Sequence, residues 1–141
     1  MISDRDLMIS TGVPKIYQEL VEEKKLFNRG HHLFSFGLVY GLLLNIQSTA
    51  KLNSDIVRLN VIREQLTKDI VDIVYLVLDD GKKTEEQLFN QMLYMADAGI
   101  VELKKLYDKN SDFTIPNLIL DAEKIWETRI ADLKNILSHP T

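Results

Sequence analysis

The sequence predicts an all-α domain, with room for one short N-terminal strand, built as a compact bundle of about five helices around a buried second helix. Three observations carry this. Apolar residues recur at intervals of three and four in segment after segment, as in Leu88, Met92, Ala96, Ile100 and Leu103. One stretch, Leu33 to Leu44, is apolar on nearly every face, and a helix of that kind is buried all round. Breaker clusters such as "STGVP", "STAKLNSD" and "DDGKK" separate the periodic runs. The 141 residues are 45% apolar and 27% charged, which suits a single globular domain over 1–141.

Each element has its own justification. Asp4 to Ser10 reads as a short strand or extended arm. Gly12 breaks it, and Pro14 suits the first turn of a helix because its missing N–H would be unpaired there anyway. Ile16, Leu20 and Val21 share a face of that helix, and Lys24 and Lys25 fall at its C-terminal end, where cations suit the dipole. Asn28 is the expected N-cap of the second helix. Ser48 to Asp55 reads as a connection. Ile56 to Asp80 pulls two ways. Its "IVDIVYLVL" is β-branched, which favours a strand, but Ile62, Leu66, Ile70, Ile73 and Val77 form a helical stripe, and helix is chosen. "DIVRLNVI" ahead of it allows a strand. Gly81 is the expected residue just past that helix. Thr84 and Gln87 have capping-box spacing at the head of a long helix. "DKNSD" should end it, and Pro116 should open a last helix whose stripe is Ile119, Ala122, Trp126, Ile130, Leu133 and Leu137.

Several function classes are excluded or disfavoured. With no cysteine there is no disulfide, thiolate metal site or catalytic thiol. Asp4, Arg5 and Asp6 stand where a signal peptide needs apolar residues. The Leu33 to Ala50 run is broken by Asn45, Gln47, Ser48 and Thr49, short of the roughly 20 residues that cross a bilayer. The expectation is a cytoplasmic protein. Net charge is −4; residues 1–67 carry eight Lys/Arg against seven Asp/Glu, and residues 68–141 nine against fourteen. Any polyanion contact therefore belongs to the first half. No nucleophile–base pair or opposed carboxylates emerge, so no catalytic residue and no cofactor are expected.

Three features could carry chemistry. His31 and His32 suggest a metal site, but adjacent helix residues point about 100° apart and no further ligand is placed by the sequence, so cap, interface or surface histidines are preferred. Gly37 and Gly41 form a G-x-x-x-G, read as close helix packing, within the chain or across a homodimer. Lys24, Lys25, Arg29, His31 and His32 gather near the second helix N-terminus, where free N–H groups attract phosphate. A solvated turn is the preferred reading of that cluster.

The helix carrying "YQELVEEKKLFNRGHHLFSFGLVYGLL" and the later "YMADAGIVELKKLYDKN" resemble small accessory proteins encoded with the Dnd DNA-phosphorothioation and restriction system. Phe27 matches the Phe that ends their first helix, Leu33 to Gly41 their apolar helix, and Ala96, Ala98, Gly99, Ile100, Glu102 and Leu103 their later helix. The basic stretch that follows the Gly in that group is "LLLNIQS" here. The resemblance implies a non-catalytic role in a prokaryotic phage-defence locus, with other proteins of the system as partners and a homodimer expected. An alternative is a ribbon-helix-helix-like regulator, from the order strand 4–10, helix 14–26, helix 28–46, touching DNA phosphate through Arg5, Lys24, Lys25, Arg29 and Lys51.

Overall fold

The computed structural model describes residues 1–109 and Thr128. A 3₁₀ turn at Ile2–Asp4 leads to strand β1 (Met8–Thr11), then helix α1 (Pro14–Tyr17), which continues as a π-helical stretch at Gln18–Glu23. Helix α2 is Gly30–Leu44, strand β2 is Ser54–Arg58, and a 3₁₀ turn at Leu59–Val61 precedes helix α3 (Gln65–Leu78). Helix α4 is Glu85–Lys109. The chain is mostly helical, with one small antiparallel sheet. The expected break after Asp108, the helix from Pro116 and its Trp126 stripe lie outside the described residues.

Local signals work where the chemistry is local. Pro14 occupies the first turn of α1. The Thr84 hydroxyl accepts from the Gln87 N–H at 3.2 Å, while the Gln87 carbonyl accepts from the Thr84 N–H at 2.9 Å, a complete capping box. Helix α2 ends on Asn45 at φ 55°, with Ile46 N–H donating to Gly41 C=O and Asn45 N–H to Leu42 C=O. That is a Schellman closure, with Asn tolerating the left-handed conformation.

Several expected boundaries move: the first helical run stops at Glu23 rather than 26, and the helix chosen for Ile56 to Asp80 begins at Gln65, after a strand and a 3₁₀ turn. The N-cap of α2 is Arg29, with no side-chain cap bond, so Asn28 does not cap it. Gly81 lies two residues beyond the Asp79 C-cap; its φ of 78° serves a turn in which its N–H donates to Asp79 Oδ1. The N-terminal strand is Met8–Thr11 rather than 4–10 and finds its partner within the expected connection and the segment after it. Met8 faces Arg58 and Thr11 faces Ser54, with a register shift between Ile9 and Ser10.

Helix α2 sits between two apolar clusters. Phe34 and Leu38 join Ile9, Leu59, Val71, Val74, Phe89 and Met92 on one side. Leu33 and Tyr40 join Tyr17, Leu20, Phe27, Ile100 and Leu103 on the other. The same helix crosses α4 almost backbone to backbone. A Cβ on Gly99 would lie 1.9 Å from Gly37 O, one on Gly41 2.1 Å from Met95 O, and one on Gly37 2.7 Å from Ala96 O. The G-x-x-x-G face is thus filled by α4 of the same chain. The "ADAGIVEL" segment supplies its counterpart: Gly99 permits the approach, Ile100 and Leu103 fill the core, and Asp97 turns toward β1.

Asp97 is buried and anchors the start of the chain. It accepts the Thr11 hydroxyl at 2.6 Å and the Gly12 N–H at 2.7 Å. Burial pushes its carboxyl above the ordinary range, and the Thr11 and Gly12 hydrogen bonds pull it partway back. Asp72 does a similar job at the other end of the sheet, accepting from Ser3 N–H and Ser3 Oγ.

Candidate functional site

The most unusual surface belongs to α3. Two helical stripes run along it, one residue apart. Thr67, Val71, Val74 and Leu78 face inward, buried or half-buried. Of the stripe that marked this segment as helical, Ile62 is buried just ahead of α3 and Ile70 is half-buried against the core, while Leu66, Ile73 and Val77 face outward, with Leu66 72% and Val77 63% exposed. Leu76, also outward, is 65% exposed. Helix α3 carries four of the six large apolar side chains that are exposed among the described residues. The inward choice follows from polar anchors. Asp72 on that side holds Ser3, and Thr67 meets Ser35 and His31 of α2. Those groups would be costly to bury without partners, and the outer stripe offers none.

The N-terminal end of this face opens into a shallow groove of about 280 Å³ between α3 and the start of α2. Leu26, Phe27, Phe36, Leu66 and Ile70 give it an apolar floor, and His32 stands on its rim. Phe27 and Phe36 pack edge to face, with centroids 5.2 Å apart. Lys24 and Lys25, both exposed, immediately precede Leu26.

Beside the groove, Glu64 gathers three basic side chains. Its carboxylate lies 3.1 Å from His31 Nε2, 3.8 Å from His32 Nε2 and 3.8 Å from Arg29 Nε. The sequence did not place this carboxylate; the turn at Leu59–Val61 brings it to the α2 entrance from 32 residues downstream of His32. His31 is buried, which holds its imidazole below the usual range although Glu64 pulls the other way. The reverse side of the His31 ring is fixed: Nδ1 is 3.4 Å from Thr67 Oγ1, and Ser35 Oγ, 3.3 Å from that hydroxyl, donates to His31 C=O at 2.8 Å.

The residues offered as possible phosphate or partner contacts do not all gather in one place. Arg5 pairs with Glu85 and Glu86 at the head of α4, away from the α2 entrance. Arg29 shares Glu64 with the histidines, so a protein carboxylate stands at the entrance of α2. Lys24, Lys25 and Lys51 are exposed. Strand β1, which a ribbon-helix-helix would pair with a second copy, spends one edge on β2 of its own chain.

No helix among the described residues is long and apolar enough to cross a membrane. Comparison with known protein families, curated proteins and solved structures finds no match.

Proposed function

We propose that this protein is a non-catalytic interaction subunit of a prokaryotic DNA-modification or restriction system, and that α3 is its docking helix. The observation that supports this is the choice α3 makes between its faces. Leu66, Ile73, Leu76 and Val77 are left to solvent while the face containing Thr67 is buried. A contiguous apolar face of this sort marks an interaction surface. The occupant is an amphipathic helix of a partner protein, with apolar anchors at i, i+3 or i+4 and i+7. Acidic residues at one of its ends would meet Lys24 and Lys25. The defence setting comes from the resemblance of the α2 and α4 segments to Dnd accessory proteins.

The test is a pair of apolar-to-charged substitutions, Leu66→Glu and Ile73→Glu, in the full chain co-expressed with the proteins encoded beside it. The expected result is a partner that co-purifies with the wild type and is lost from both variants, with thermal unfolding unchanged. Variants that melt several degrees lower would mean that the face is covered within the chain, and the proposal would fall. A partner retained by both variants would also overturn it.

A further inference from the structure

We propose that His31, His32 and Glu64 form a binding site for one divalent transition-metal ion of the zinc class. This site adjoins the groove of the docking face through His32 but does not depend on the proposed function.

The geometry is close to that of a bound shell before any ion is added. One ligand atom from each residue can be chosen so that all three lie within 4.8 Å of one another. The ligand atoms of tetrahedral zinc, about 2.1 Å from the metal, stand about 3.4 Å apart. His31 Nε2 lies 3.1 Å from Glu64 Oε2 and His32 Nε2 3.8 Å from Oε1, so a small turn of the carboxylate would set a single oxygen between the two rings. The ion would replace the contacts that Glu64 now makes with each ring. Two imidazoles and one carboxylate suit zinc, cobalt(II) or nickel(II) better than calcium or magnesium, which take oxygen shells. Three protein ligands leave at least one position for water.

The surroundings prepare the ligands. In the tautomer that protonates Nδ1, His31 donates to Thr67 Oγ1 and leaves the Nε2 lone pair facing Glu64. Such an outer hydrogen bond on the non-ligating nitrogen is the usual companion of a metal-bound histidine. His31 and His32 lie in the first turn of α2 and Glu64 caps α3, so packing of the two helices fixes all three backbones.

Two features oppose a cation and set the expected strength. The N-termini of α2 and α3 carry partial positive charge. Arg29 competes for the carboxylate, but its side chain is 69% exposed and is free to turn away. Micromolar rather than nanomolar affinity is therefore expected. This competition also gives a signature: Arg29→Ala should tighten metal binding several-fold, whereas the same change would weaken an anion site.

The experiment is titration of the metal-free full chain with Zn²⁺ by calorimetry, and with Co²⁺ by visible absorption, each with a thermal melt. The expected result is one ion per chain, a raised melting temperature and a Co²⁺ spectrum. His32→Gln and Glu64→Gln should each lower affinity at least tenfold while leaving the metal-free melt unchanged. His139→Gln, at the one remaining histidine, should change nothing. Binding that is absent, or equal in wild type, His32→Gln and Glu64→Gln, would overturn the site, as would binding weakened by Arg29→Ala. If either glutamine variant melts early, Arg29→Ala and the Co²⁺ spectrum of the wild type still decide.

Discussion

Helix α2 meets α4 through bare backbone, whereas α3 meets the rest of the molecule through one side-chain face and gives the other to solvent. At the first contact, Gly37, Gly41 and Gly99 leave no room for even a methyl group. At the second, exchanging one stripe for its neighbour would still bury apolar residues. The difference is one of tolerance. The α2/α4 crossing has a single solution and belongs to the fold. The outer face of α3 is exposed, so substitutions there are expected to leave the chain folded.

The largest effect should come from closing the α2/α4 crossing. Gly99→Ala or Gly41→Ala drives a Cβ into a backbone carbonyl that cannot swing aside. A loss of about 3 kcal/mol is expected in urea unfolding. A loss below about 1 kcal/mol would show that the two helices have slack and that the comparison is overdrawn.

Next is Asp97→Ala, which strands the Thr11 hydroxyl and the Gly12 N–H in a buried place. About 2 kcal/mol should be lost. Asp97→Asn tests the charge separately. Its carboxyl is raised in the folded state, so the stability this group supplies is full below its unfolded value, near pH 4, and falls as pH rises through the folded value. Stability measured from pH 4 to 7 should lose that component in Asp97→Asn. His31 has the opposite sign. Its folded value is lowered, so its contribution is full above about pH 6.5 and is lost as pH falls toward the folded value. His31→Gln should flatten that acid limb.

The smallest effects should fall on the exposed side. Leu66→Glu and Ile73→Glu should change stability by no more than about 0.5 kcal/mol, yet abolish partner binding. Arg29→Ala and a Lys24→Ala/Lys25→Ala pair should leave retention on a short DNA duplex at low salt unchanged. Steep, salt-sensitive binding lost in those variants would instead favour a phosphate contact at α2.

Much of the fold could be read from residues whose partners are near in sequence. Pro14 opens α1, Thr84 and Gln87 cap α4, and the four-residue spacing of Leu88 to Ile100 points inward. Helix α3 forms despite its β-branched run, as its periodicity predicts. Distant partners were invisible. Nothing local says that Ser54–Arg58 pairs with β1, or that Glu64 meets His31 and His32. The expectation that adjacent histidines diverge took the helix alone and left out a carboxylate set between them. A buried Asp at 97 had one sequence signal, its place between Ala96 and Ala98 on a long apolar stripe.

The residues alone indicate roughly where the helices run and that most of α2 is buried, because periodicity and capping are short-range properties of the chain. Which face of α3 turns to the core depends on contacts that local pattern does not contain. Both faces satisfy the same helical period, and the choice was made by Ser3, His31 and Ser35, polar groups far away in sequence that need Asp72 and Thr67 on the inside. Hydrophobic burial has no direction of its own, so hydrogen bonds between distant residues set it.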